Sequence, residues 1–199
     1  MGSLHQLAGL ARRLNREAGA PDVPALFFFT DPERTPDPLG AAKRLPRGTA
    51  VVYRHFGAGD RARTARLLAD ICRTRGLVLL IAADPALAQR VSAAGVHWPE
   101  RRLPPQRNHG EGIVTAAAHS ADGVARACAF GADACILAPI FSTRSSSGRA
   151  PLGLFRASRI ARAWPIPIIA LGGVNGRTAR RLVGRGFAGF AAVDALVRA

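Results

Sequence analysis

The sequence predicts a small (β/α)8 barrel carrying an extra N-terminal helix. Three observations lead there. Eight short apolar runs recur between residues 25 and 196. Most are continuously apolar rather than alternating, which argues for burial on both faces and hence for parallel pairing. Helical patterns lie between them, as the crossovers of parallel strands require. An open doubly wound sheet shares this alternation. Eight units in so short a chain suit a closed barrel with short loops, and no GxGxxG follows the first run. Residues 1–199 read as one domain, a helical extension over 1–24 followed by the barrel over 25–197.

The elements follow in order. The opening MGSLHQLAGLARRLNREAG has a helical period and would cover the barrel's bottom or pack outside it. The strand-like runs are ALFFFTD (25–31), TAVVYRHF (49–56), LVLLIAAD (77–84), GVHW (95–98), GIVTAAAH (112–119), ACILAPIF (134–141), PIIALGG (167–173) and GFAAVDAL (189–196). RARTARLLADICRTRG puts Ala65, Leu68, Ala69 and Cys72 on one helical stripe. DPALAQRVSAAG offers Asp84 as a cap, with Pro85 at the first helical position. SADGVARACAFG begins at Ser120, carries Asp122 in its first turn and ends at Gly131. LFRASRIARAW and GRTARRLVGRG follow the same scheme. PERRLPPQRNHGE, after GVHW, is too polar and Pro-rich for a full helix.

Composition narrows the function. Hydrophobic residues are 48% and charged residues 21%, which is a globular balance. No long uncharged apolar stretch and no signal peptide are evident, so neither a membrane nor export is expected. Cys72, Cys128 and Cys135 are odd in number and lack CxxC spacing, and read as buried free thiols in a reducing cytoplasm. The net charge is +15, nearly all of it arginine; Lys43 is the only lysine, which argues against Schiff-base chemistry. The arginines are spread over nearly every helix without a basic run. That favours a solvated surface that attracts phosphorylated metabolites, and no specific nucleic-acid partner is expected.

In a barrel the active site forms at the C-terminal strand ends. Those ends carry Thr30-Asp31, Arg54-His55, Asp84, His97, His119, Phe141 to Ser147, Gly172-Gly173 with Asn175, and Asp194. Glycines after strand seven let backbone N–H groups approach an oxyanion, though a tight turn needs them equally. His119 suits a general base or acid near neutral pH, or a bond to its own turn. His97, beside Trp98, reads as a core histidine. Arg54 and His55 must point to opposite faces. No HxH or HExxH spacing suggests zinc, and no GxSxG suggests a hydrolase. The loop Ser142-Thr143-Arg144-Ser145-Ser146-Ser147-Gly148-Arg149 offers hydroxyls and guanidinium forks to an anion. It is expected to be mobile when empty and to fold over the mouth when an anion arrives.

The order of FFFTD, VVYRHF, LLIAADPALA, AAGVHW, AAAHS, GADACILAPIFST, PLGL, IIALGGVN and GFAAVDAL resembles the thiamine-phosphate synthase and thiazole tautomerase superfamily, over roughly residues 25 to 197. The resemblance implies a TIM barrel in the thiamine pathway. Synthases couple a pyrimidine diphosphate to a thiazole phosphate with Mg²⁺ and release pyrophosphate. Tautomerases move a proton in a thiazole phosphate carboxylate and need no metal. The resemblance makes Arg54, Asp84 and His119 catalytic candidates, with Asp84 also a Mg²⁺ ligand. It assigns phosphate binding to Thr143, Arg144, Ser146, Gly172 and Gly173. The family's lysines fall on Phe56 and Ser146, its metal-site asparagine on Ala83, its second metal aspartate near Arg101-Arg102, and two serines on Ala117 and Asp194. Such losses suit arginines acting as phosphate ligands. Coupling, tautomerisation by His119, and a decayed barrel that only binds a phosphorylated ligand all fit these residues.

Overall fold

In a computed structural model, which describes residues 4–108, 110–143 and 150–197, eight parallel strands close into a barrel in sequence order. They are β1 Leu26–Phe29, β2 Ala50–Tyr53, β3 Val78–Ala82, β4 Gly95–Trp98, β5 Ile113–Ala118, β6 Ala134–Leu137, β7 Ile168–Ala170 and β8 Gly189–Ala192. β1 closes the ring on β8, with Phe27 opposite Ala191. The helices are α1 Leu4–Glu17, α2 Pro38–Arg44, α3 Arg61–Arg75, α4 Pro85–Arg90, α5 Ala121–Ala129, α6 Leu154–Ala163 and α7 Asp194–Val197.

Alternation along each strand sorts the core into two layers. Phe27, Phe29, Val52, Leu80, Ala82, Ile136, Ile169 and Ala191 fill the barrel interior. Leu26, Phe28, Val51, Tyr53, Ile81, Val114, Leu137 and Phe190 face the helical layer. Both faces are buried, which is why the sequence runs are continuously apolar. Each fully buried phenylalanine stabilises the fold by roughly 1.5–3 kcal/mol, so the Phe27–Phe29 run anchors both layers.

The α1 helix packs outside, against β1, β8 and the turn after β7. Its Asn15 side-chain amide donates to the carbonyls of Ala20, Val23 and Ala188 (2.7, 3.1 and 3.3 Å), tying the helix to the lower rim. Two caps form as the sequence suggests. Asp84 accepts from the Leu87 N–H at 2.9 Å, and Ser120 accepts from the Gly123 N–H at 3.1 Å. Among its described residues, the polar stretch after β4 holds only a 3-10 turn, Glu100–Arg102.

Three details depart from the sequence pattern. The stretch GRTARRLVGRG forms a 3-10 turn, Ala179–Leu182, rather than a helix. Gly184 and Gly186 there take φ of +66° and +85°, which a helix cannot contain, and α1 packs against the turn. The eighth strand ends at Ala192, and Asp194 opens α7. The α2 helix has no counterpart among the helices read from the pattern; its start is an Asp-Pro cap in which Asp37 accepts from the Gly40 N–H at 2.8 Å.

Candidate active site

Every strand being parallel, all C-terminal strand ends meet at one mouth. Arg54, Asp84, His119, Thr143, Gly172 and Gly173 all follow such ends, those of β2, β3, β5, β6 and β7, around one rim. Arg144 and Ser146 lie outside the described residues, as does the rest of 144–149, so the loop-closure expectation falls there too.

Arg54 stands one interior step beyond Val52. Its backbone N–H donates to the Thr30 hydroxyl (3.0 Å), its Nε to the Thr30 carbonyl (2.8 Å), and one terminal nitrogen to Asp31 Oδ2 (3.4 Å). The guanidinium lies over the Phe29 ring, 5.3 Å from its centroid. Burial pulls its pKa down, the Asp31 charge opposes that, and Arg34 adds to it. Asp31 in turn is held below the usual carboxylate range: burial works against ionisation, but bonds from the Arg34 side chain and backbone outweigh it. One terminal nitrogen of Arg54 is left for a ligand. His55 takes the opposite face, as the period requires, and sits against Tyr53 with ring centroids 5.0 Å apart.

His97 is a core residue. Its Nδ1 pairs with the Thr115 hydroxyl at 2.9 Å, and its ring meets Phe29 edge-on at 5.0 Å. Complete burial, helped by the Arg54 charge, lowers its pKa to about 3, so it is neutral at ordinary pH.

His119 continues the interior phase of β5 beyond Thr115 and Ala117. Its Nδ1 is bonded to Glu100 Oε2, and the other Glu100 oxygen accepts from Arg126. Glu100 is only 14% exposed and carries two cationic-capable partners. Gly123, in the first turn of α5, makes room for it: a Cβ there would sit 2.5 Å from Glu100 Oε1. The imidazole is therefore held by one nitrogen, while Nε2 has no partner among the described residues.

Both oxygens of Asp84 accept a bond. Its Oδ1 caps α4, and its Oδ2 accepts from Arg61 at 2.9 Å. Arg61, at the start of α3, also donates to the Ala82 carbonyl at 2.9 Å. Two guanidiniums lie over the Phe56 ring, Arg61 5.4 Å and Arg102 4.9 Å from its centroid. No group of three or more His, Cys, Asp or Glu side chains among the described residues could hold a metal ion. Glu100, Arg61 and the Phe56–Arg102 contact went unnoticed in the sequence. The only local hint was the arginine pair inside the ERR turn.

Gly172 and Gly173 sit where no side chain fits. Their φ values are +93° and +65°, and added Cβ atoms would lie 2.6 Å from Pro139 Cβ and 2.4 Å from the Ser142 carbonyl oxygen. The reason is close pairing with the segment after β6, where the Phe141 N–H donates to the Gly172 carbonyl at 3.0 Å. That pairing uses the carbonyl; the N–H groups of Gly172 and Gly173 find no acceptor among the described residues.

Comparison with known proteins matches this arrangement to one family: a thiamine monophosphate synthase model covers residues 26–196. The chain belongs to the thiamine monophosphate synthase family. It is 34% identical over 189 residues to a thiamine-phosphate synthase of Chlorobium luteolum, covering 90% of this chain and 88% of that one. It is 27% identical to a thiamine-phosphate synthase of Bacillus velezensis, covering 94% and 89%. A thiamine phosphate pyrophosphorylase structure from Pyrococcus furiosus superposes with a TM-score of 0.73 at 22% identity, covering 96% and 90%, a likeness in fold. Within this thiamine monophosphate synthase barrel, Arg54 and the glycine pair stand at the mouth, while Asp84 is tied to Arg61.

Proposed function

We propose that this chain couples a pyrimidine diphosphate to a thiazole phosphate. In that reaction a bond forms between the two heterocycles, the carbon–oxygen bond to the diphosphate breaks, and pyrophosphate leaves. The observation that carries the reading is the gathering on one mouth of Arg54, Arg102 and the Gly172–Gly173 amides, which have no acceptor among the described residues, in a chain of this family. Charge develops on the departing diphosphate oxygen, and preorganised donors stabilise it without reorganising. Arg54 is preorganised by Thr30 and Asp31; a guanidinium–phosphate hydrogen bond is worth roughly 1.5–3 kcal/mol. The glycine amides suit the thiazole phosphate.

The family implies Mg²⁺. The residues present do not fit it: Asp84, the expected ligand, has one oxygen on a helix amide and the other on a guanidinium. A hard divalent cation needs open carboxylate oxygens. The test is pyrophosphate release and product formation from both substrates, with Mg²⁺ and with chelator. Absence of turnover in both conditions overturns the reading.

A second reading draws on a separate observation, the Glu100–His119 pair. With Nδ1 held by the carboxylate, Nε2 takes a proton from one ring atom of a thiazole phosphate carboxylate and returns it to a neighbour, with no net loss of atoms. A positioned base contributes typically ~10²–10⁴-fold to such a step. A metal-independent change in thiazole absorbance that His119→Ala abolishes would favour this over coupling.

A further inference from the structure

We propose that the cation of this rim is built into the chain: Arg61 takes the place beside Asp84, and Arg102, braced on Phe56, is the free charge that grips a diphosphate without a metal. The inference rests on the coupling reading and specifies how its diphosphate is held.

Arg61 and Arg102 approach one ring at 5.4 and 4.9 Å, which places the two cations within about 10 Å of each other. Like charges at that range repel by roughly 0.4 kcal/mol in a fully aqueous setting and about 1.7 kcal/mol at an effective dielectric near 20. Such a pair calls for anions. The sector's own carboxylates meet only part of that demand. Asp84 is on Arg61. Glu100, two residues from Arg102 and in the same 3-10 turn, faces the other way, to His119 and Arg126. Asp60 accepts from the Thr64 hydroxyl at 2.9 Å. Arg102 is left exposed with the Phe56 ring as its contact and no carboxylate partner among the described residues.

The start of α3 adds to this field. It is a 15-residue helix with no acidic residue in its first turn, and Asp60 makes no side-chain bond to its amides. The Arg61 N–H donates to the Ala58 carbonyl at 3.0 Å, so the amides of the first turn add only a minor share of positive potential beside the Asp60 carboxylate. Phe56 serves as the brace. Stacked on a ring, a guanidinium keeps its planar fork ordered and loses less freedom on engaging phosphate oxygens in pairs. A diphosphate, with several oxygens and more than one charge, is the ligand class that fits a free fork beside a second cation.

Calorimetric binding of inorganic pyrophosphate tests this, with turnover measured separately. For the wild type, Mg²⁺ must not strengthen binding relative to chelator. Arg102→Gln should weaken pyrophosphate affinity ~10-fold or more, the loss of one charge-assisted contact. Phe56→Ala should weaken it less, by about threefold through lost bracing. Arg73→Gln, on the exposed face of α3, should leave it unchanged. Affinity that rises tenfold with Mg²⁺, or that Arg102→Gln leaves intact in a protein with native circular dichroism, overturns the proposal. Metal-free, Arg102-dependent binding without turnover would sink the coupling reading and leave this site standing. Turnover indifferent to Arg102 would do the reverse.

Discussion

Asp84→Ala separates a carboxylate that holds the chain together from one waiting for a metal. In this structure Asp84 makes two bonds of 2.9 Å, one to the Leu87 N–H and one to Arg61. Loss of an N-cap costs about 1 kcal/mol. Loss of a hydrogen bond to a charged partner costs about 1.5–3 kcal/mol, towards the lower end because Asp84 is 28% exposed. Arg61 is only 16% exposed and would lose its counter-charge. Together the substitution should destabilise the fold by about 2–4 kcal/mol, which for a chain of this size lowers Tm by roughly 5–15 °C. Asp84→Asn keeps a capping oxygen and should cost about 1–2 kcal/mol. Urea unfolding and thermal melts at low salt measure both, and a cycle with Arg61→Ala should return a coupling of about 1–3 kcal/mol. A free metal ligand behaves otherwise. Its removal would be nearly neutral, and Mg²⁺ at a hundredfold over its Kd would stabilise the wild type by about 2.7 kcal/mol. A neutral Asp84→Ala together with a Mg²⁺-dependent rise in wild-type Tm would refute the reasoning.

Further outcomes follow from the same geometry. Glu100→Gln should lower His119-dependent proton transfer ~10–100-fold through kcat with KM unchanged, since it loosens the base rather than the ligand; steady-state kinetics checks the split, and Glu100→Asp should recover part of the loss. Gly123→Ala should reproduce some of that loss by pushing the Glu100 carboxylate aside, and thermal melts should show no gain in Tm, because the added Cβ also meets the buried Ala118 Cβ at 3.1 Å, which offsets the roughly 0.5–1 kcal/mol by which alanine favours a helix over glycine. Gly172→Ala meets both a left-handed φ of +93° and a 2.6 Å approach to Pro139, so urea unfolding should show a loss of about 1–3 kcal/mol. His97 is neutral when folded, with a pKa lowered to about 3, and near 6.5 when unfolded. Its stabilising effect is complete above pH 6.5 and is lost as pH falls towards 3, at about 1.4 kcal/mol per pH unit. His97→Gln should flatten the wild-type stability slope between pH 6.5 and 5 in urea titrations, and an unchanged slope would contradict its burial as a neutral group.

The barrel was legible because its physics is local. Continuous apolar runs such as ALFFF mark strands buried on both sides, and strand alternation alone put Arg54 and His55 on opposite faces. Cap chemistry was legible for the same reason, since Ser120 and Asp84 act on amides three residues away. The segment after β7 misled because its arginines and leucine repeat with a helical period. Whether such a period becomes a helix depends on glycine backbone angles and on α1 packed against it. The site's second layer was invisible for a different reason. Glu100 reaches His119 across 19 residues of sequence, and Arg61 reaches Asp84 across 23. Nothing in a run of residues encodes which arginine of a very basic chain will meet which carboxylate.

Asp84 shows where the two kinds of information meet. The dipeptide Asp84-Pro85 is a helix-start signal with a stated mechanism: the carboxylate accepts an amide bond, and proline supplies the first helical φ. Placement beside the family's metal position is a statement of descent. Both readings applied to one residue. Capping alone leaves Oδ2 for a cation, so the cap does not decide between them. The decision comes from the start of α3, where Arg61 delivers a guanidinium to that oxygen and to the Ala82 carbonyl together. An ammonium from lysine, a compact point charge, would be a poorer bridge between two such acceptors than a planar fork. A chain with Lys43 as its only lysine has forks in abundance. The arginine bias that looked like a surface property thus bears directly on what kind of cation the mouth can hold.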